Sequence, residues 1–198
     1  MFYRRNCGGY EEGLLNGPAL PNWAPVGQPS APPPPVDPQV VALQAEKQLV
    51  LPKPVVAMSP SGFQVVNVPT WFWLASASWS PVSSTAQVPG VAVTATATPV
   101  SADWDPGDGG SSVHCVGAGT PFARGDDPSK PSPDCGHVYR HGSASASGGT
   151  YTVTTTVHWR VAWNGAGQSG VFPDLASTSQ VTAQVREVQA LVNGHPGA

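Results

Sequence analysis

Tyr151 to Trp163 constrains the fold more than any other stretch. Tyr151, Val153, Thr155, Val157, Trp159, Val161 and Trp163 recur at every second position, with Thr152, Thr154, Thr156, His158 and Arg160 among the residues between them. Side chains along a strand point alternately to its two faces, so this period of two predicts a long strand with one buried face. Val91 to Thr98 repeats the pattern, with Val91, Val93, Ala95 and Ala97 on one side and threonines on the other, as in half-buried antiparallel sheet. Only 11% of the residues are charged, while 22 are glycine and 23 proline. A chain so rich in turn formers and poor in helix formers is expected to be all-β. Seven tryptophans within a 40% apolar composition can fill the core of one domain, of about 130 to 140 residues.

Taken in order, residues 1–37 read as a disordered, proline-rich linker. Pro18, Pro21, Pro25, Pro29 and the run Pro32 to Pro35 favour extended polyproline geometry, about 3 Å per residue. Asp37-Pro38 is a helix cap followed by proline at the first helical position, and it opens a short amphipathic helix over 38–51. Val40, Leu43, Lys47 and Val50, flanked by Val41 and Ala45, define its expected face. Strands are expected at Val55–Met58, Phe63–Val68, Trp71–Trp79, Thr85–Val88 and Val91–Thr98, with Pro89-Gly90 as a turn. A further strand runs from Ser111 to Cys115, and Asn164–Gly170 reads as a hairpin loop after the long strand. One bulged edge strand closes the domain at Thr178–Val185 and Glu187–Val192, so that 52–193 forms the sandwich and 194–198 a tail.

Three pieces carry a more specific signal: Trp104-Asp105-Pro106-Gly107-Asp108-Gly109, His137-Val138-Tyr139, and Gly149-Thr150-Tyr151-Thr152-Val153. Asp carboxylates accept hydrogen bonds from backbone amides just ahead of them and glycine supplies positive φ, so the first piece is a tight turn. In this order the pieces resemble the signature of PKD domains, immunoglobulin-like β-sandwiches of secreted and cell-surface proteins. The resemblance implies an immunoglobulin/PKD-like β-sandwich with a short N-terminal helix and a proline-rich N-terminal linker. It assigns Trp104, Asp105, Gly107, Asp108, Gly109, His137, Tyr139 and Tyr151 to the turn motif. Pro69 to Leu74, Ala97 to Gly109 and Ser132 to His137 are also similar to an uncharacterised actinobacterial family of extracytoplasmic proteins, covering roughly residues 36 to 193. Some of its members carry the label "ATP/GTP-binding protein". Phosphate binding needs a glycine-rich loop and a lysine between a strand and a helix, a context that Lys47, Lys53 and Lys130 all lack.

Cys115 and Cys135 bound a segment, 116–134, that an ordinary PKD domain does not have. A disulfide between them is expected to pin this inserted loop, stabilising the fold by about 3 kcal/mol through loop-closure entropy. The alternative is zinc held by Cys115, Cys135, His137 and His141, although the cysteines form no Cys-x-x-Cys pair. Asp103, Asp105 and Asp108 superficially match a calcium loop but lack its later bidentate glutamate. Trp71, Trp73 and Trp79 would suit glycan stacking if they were exposed, and core packing if they were not. No nucleophile elbow or zinc-protease motif is present, so no catalytic residue and no cofactor are expected.

A net charge of −3 with nine lysines and arginines supplies no field for nucleic acid. The sequence contains no apolar run of the roughly 20 residues that a membrane span needs. Met1 to Gly17 lacks the apolar centre of a secretory leader. An extracytoplasmic location, secreted or at the cell surface, is expected on the assumption that a leader is missing from this sequence. Cys7 would be the odd cysteine, a free thiol, an intermolecular bridge or a lipid-attachment remnant, although Arg4-Arg5-Asn6 before it is not a lipobox context. The expected activity is that of a non-catalytic interaction or structural module of the cell envelope. Its partner would be an envelope protein or a surface polysaccharide; the alternatives are a carbohydrate-binding module using exposed tryptophans and, as the family label suggests without support from any P-loop, a nucleotide-binding protein.

Overall fold

The computed structural model describes Tyr3–Arg5, Trp23–Pro25 and residues 35–188, with side chains from residue 35 onward. The chain divides into two compact units, Met1–Pro35 and Val36–Ala198. In the first, β1 (Tyr3–Arg5) pairs antiparallel with β2 (Trp23–Pro25), so the linker expected over 1–37 contains at least this ladder. The rest of that linker and the tail at 194–198 lie outside the described residues.

The second unit begins with α1 (Pro38–Lys47), which is capped as expected: the Gln39 amide donates to Asp37 Oδ1 at 2.9 Å, and Pro38 follows the cap. Its buried face differs from the expected one. Val41, Ala42 and Ala45 face inward, while Val40 and Leu43 are 54% and 42% exposed. The small side chains of Ala42 and Ala45 let the helix backbone lie close to Ala86 and Ala95, between Val93 and Trp163. Ser84 Oγ donates to the Ala45 carbonyl near the helix end. The helix stops at Lys47, and Leu49 and Leu51 beyond it pack on the core.

Two sheets follow. The smaller contains β3 (Val56–Ser59), β5 (Pro69–Leu74) and β9 (Gly136–Val138), in the order β3-β5-β9. The larger comprises β4 (Phe63–Val65), β6 (Val82–Val88), β7 (Val91–Asp105), β8 (Val113–Cys115), β10 (Tyr151–Gly165) and β11 (Gln168–Arg186). Its path is β4-β11-β10-β7-β6, with β8 on β7 as well. β6 pairs with the first half of β7 and β8 with its end.

The alternation in β10 is realised: Val153, Thr155, Val157, Trp159, Val161 and Trp163 are buried and the intervening residues face outward. β7 is longer than expected because it contains a bulge. His158 pairs with Ser101 and Trp159 with Pro99, leaving Val100 unmatched. Before the bulge Ala95 and Ala97 face inward; after it Ala102 and Trp104 do. Pro99, which has no amide hydrogen to give a ladder, is tolerated beside this irregularity. Phe72 of β5 stacks on Trp104 of β7 at 5.1 Å between ring centroids, with an interplanar angle of 10°. Burial of these side chains and of Leu74, Val157 and Trp159 joins the two sheets into a sandwich. The same inner face of the large sheet continues under α1 through Val93, Ala95 and Trp163.

Several boundaries move. The strand expected over Trp71–Trp79 ends at Leu74 and gives way to a 3-10 turn at Ser76–Ser78. Ser78 drives the change: its hydroxyl accepts from the Val55 amide at 2.8 Å and is buried. The strand expected to end at Val68 ends at Val65, ahead of Asn67 at φ 63°. The hairpin loop expected at 164–170 shrinks to a turn on Ala166 and Gly167, both at positive φ, the geometry favoured between twisted strands.

Val41→Ala should lower stability by about 2 kcal/mol, whereas Val40→Ser should change it by less than about 0.5 kcal/mol. Urea unfolding of both variants checks which helix face is the buried one.

Candidate functional site

The residues of the turn motif meet at one end of the sandwich. β7 ends at Asp105, whose Oδ1 accepts the Gly107 amide at 2.9 Å, and Asp108 Oδ1 accepts the Gly110 amide at 3.0 Å. The other Asp108 oxygen lies 2.7 Å from His137 Nε2, with both side chains largely shielded from solvent. His137 meets Tyr139 edge-on at 4.7 Å, and Tyr139 stacks on Tyr151 at 5.7 Å. The Tyr139 hydroxyl donates to the Pro106 carbonyl at 3.3 Å, and that of Tyr151 to the Gly142 carbonyl at 3.1 Å. Trp104 points into the core beneath them. The turn is thus held by His137 of β9 and by Tyr139 just beyond it, with Tyr151 of β10 stacked behind Tyr139.

Burial works against the charge of Asp108. The hydrogen bonds from His137 and the Gly110 amide outweigh it, so the carboxyl titrates below its usual range. Burial pushes the Tyr139 phenol upward, and the neighbouring Asp108 charge adds to the effect.

Asp103 lies apart from this turn, on the outer face of the large sheet. Its Oδ1 is 2.6 Å from His114 Nδ1 and its Oδ2 is 2.7 Å from His158 Nε2. His114 is directly opposite it on β8, and His158 is on β10, two residues beyond its partner Thr156. The His114 hydrogen bond is the main cause holding Asp103 below the usual carboxyl range; burial opposes it and His158 reinforces it. Sequence spacing alone missed this cluster. Its signal was His158 on the polar side of the alternating strand.

The three carboxylates considered for calcium therefore have separate partners: two histidines for Asp103, a backbone amide for Asp105, and His137 with an amide for Asp108. Among the described residues, no three His, Cys, Asp or Glu side chains are placed to share a metal ion. The zinc set is not assembled either. Cys115 and Cys135 form a disulfide with their Cα atoms 5.6 Å apart, His137 is committed to Asp108, and His141 is exposed.

The disulfide closes the loop 116–134 over the outside of the small sheet. Leu74 donates its amide to the Ala118 carbonyl at 2.7 Å and Phe72 to the Cys135 carbonyl at 2.9 Å, so both ends of the loop extend the edge of β5. Across the loop, Asp134 accepts from the Thr120 amide at 3.0 Å and from its hydroxyl at 2.9 Å. Asp126 accepts the Ala123 amide at 2.7 Å. Hydrogen bonds from Ser129 hold the Asp127 carboxyl below its usual range.

This loop decides the fate of the three tryptophans. Trp71 is only 7% exposed; its indole N–H donates to the Lys130 carbonyl at 2.9 Å and Phe122 meets it edge-to-face, with ring centroids 5.1 Å apart. Trp79 packs half-buried against the main core. Trp73 lines an open groove of about 510 Å³ with Met58, Pro60, Gln64 and Phe122. Gln64 is buried in this lining, donating to the Pro60 carbonyl at 2.8 Å and accepting from Thr70 at 3.0 Å. Lys47 ends α1, and Lys53 and Lys130 are exposed outside helices and strands, so none lies between a strand and a helix N-terminus.

Gly107 and Gly109 have nearly equal φ, +79° and +80°, but a Cβ on Gly107 would overlap the Thr152 carbonyl while one on Gly109 meets open space. Gly109→Ala should cost about 1 kcal/mol for its backbone conformation alone, and Gly107→Ala at least about 2 kcal/mol, as read by thermal unfolding. Asp103 and Asp108 both bind protons more weakly when folded than at their ordinary pKa of 3.8. Their stabilisation is complete above that value and is lost as the pH falls through the folded values. The thermal midpoint should therefore drop below about pH 4, and less steeply in Asp108→Asn than in the parent, as calorimetry across that range would show.

Comparison with known proteins returns no matching family model, no matching curated protein and no matching solved structure.

Proposed function

We propose that this chain is a non-catalytic interaction or structural module working outside the cytoplasm, in a bacterial cell envelope. We further assign its sandwich to the immunoglobulin-like PKD type. The observation that carries the reading is the loop 116–134. It is closed by a buried disulfide, bonded to the edge of β5 and seated on Trp71. A polar loop held this firmly loses little freedom when a partner binds. Disulfides persist in oxidising compartments, which supports a location outside the cytoplasm. No described helix is long and apolar enough to cross a membrane. The PKD assignment rests on the turn motif, in which His137 and Tyr139 bind the Asp105–Gly109 turn and Tyr151 supports them.

The half-buried Trp73 in its groove favours a second reading, a carbohydrate-binding module. The Trp73 ring beside Phe122 provides a stacking platform, and the exposed Ser61 in the same groove is a polar neighbour for a sugar hydroxyl.

Cosedimentation with isolated cell walls tests both. The envelope-protein reading expects wild type to bind intact walls, Asp134→Ala to bind at least tenfold less, and protease-stripped walls to bind neither. The carbohydrate reading expects binding to survive stripping and to be lost in Trp73→Ala. Absence of wild-type binding to either preparation overturns both. Thiol trapping in the producing cell tests location independently: Cys115 and Cys135 should resist alkylation until reductant is added, and immediate alkylation would refute an oxidising compartment.

A further inference from the structure

The longest strand has an edge with little to occupy it. β11 pairs with β10 along one side, from Gln168 to Ala183. On its other side, among the described residues, only β4 pairs with it, at Gln184–Arg186. Inner-face residues Phe172, Leu175 and Val181 touch the core yet remain half-exposed; between the last two, Ser179 donates from the same face to the Pro54 carbonyl at 2.7 Å, a contact that leaves the strand's backbone edge unpaired among the described residues. Val171 on the outer face is 74% exposed.

Folded proteins blunt such edges with lysine, proline, bulges or covering segments. Here Pro173 and Asp174 do so at one point. They stand opposite Arg160, where the pairing shifts from Trp159–Leu175 to Val161–Phe172. Beyond them, Leu175-Ala176-Ser177-Thr178-Ser179-Gln180-Val181-Thr182-Ala183 contains no charge, no proline and no glycine. The β6 edge is shorter, Val82–Val88, and α1 packs beside it through Ser84.

We propose that the outer edge of β11 over 175–183 is a self-association surface, on which a second copy of this chain adds its own β11 antiparallel. A two-fold axis normal to the sheet and just outside an edge strand generates antiparallel pairing of the strand with its copy, and the contact closes at two copies. Because the segment is uncharged, every register within it avoids opposing like charges, the main penalty in cross-strand pairing. Pairing satisfies the outward backbone groups and shields Leu175 and Val181, whose inner faces then continue into those of the partner. A different extended peptide would be repelled by nothing on this edge either, but the identical strand is present at equal concentration and is already held in extended geometry. This inference is independent of the envelope reading.

Light scattering on the full chain, with Cys7 alkylated so that it cannot link copies, should give twice the chain mass of 20.4 kDa at about 100 µM. Ala176→Lys with Thr182→Lys places cations on exposed outer-face positions and should weaken association at least tenfold while leaving the thermal midpoint of the dilute protein unchanged. Amide exchange at 175–183 should slow as wild-type concentration rises. A wild-type chain that stays monomeric at that concentration overturns the proposal. So does a dimer that survives both lysines with exchange at 175–183 independent of concentration, since the copies would then meet elsewhere.

Discussion

The bulge at Val100 sets the geometry on which the rest of the structure depends. Side chains of a strand alternate strictly, so a β7 without it would keep the parity of Val93, Ala95 and Ala97 and turn Ala102 and Trp104 outward. Trp104 would leave its stack with Phe72, and the two sheets would lose their central aromatic contact. The extra residue also directs Asp103 outward, toward His114 and His158. One irregularity thus fills the core and distributes the carboxylates, and the turn that follows inherits its direction from it.

Beyond β7, the Asp105–Gly109 turn is fixed from outside rather than by its own length. Asp105 and Asp108 organise it locally through backbone amides. His137 and Tyr139 then tie it to the segment after the disulfide. The two halves of that end of the molecule are distant in sequence, and these contacts join them. This arrangement accounts for the aspartates and the histidine in structural terms, which leaves the pinned loop and the Trp73 groove as the surfaces with chemistry to spare.

The parts of this architecture that were legible in the sequence are those where local pattern and tertiary contact agree. β10 is the plainest case, because its apolar face is also its buried face over its whole length. The Asp37-Pro38 start of α1 was legible for the same reason, being a matter of local hydrogen bonding. The buried face of α1 was not, since bulk favoured Val40 and Leu43 while close approach to Ala86 and Ala95 favoured Ala42 and Ala45. The strand expected to reach Trp79 continued its alternation on paper, but the bonds of Ser78 to the 53–55 segment ended it. For the candidate site, the turn residues were readable as a motif, whereas the Asp103 cluster required the register of β7 after its bulge. Cover over Trp71 could not be read at all, because a segment without periodicity provides it.

The disulfide joins more than the ends of a loop. Cys115 closes β8, in the large sheet, and Cys135 directly precedes β9, in the small one, so the bond is a covalent rivet between the two layers. Pulled from its ends, such a domain cannot release the segment between the cysteines. With a sequence separation of 20, the slack withheld is about 70 Å of extended chain. The domain would give way over a shorter distance under load, and its two layers would remain tethered after the hydrogen bonds between strands had gone.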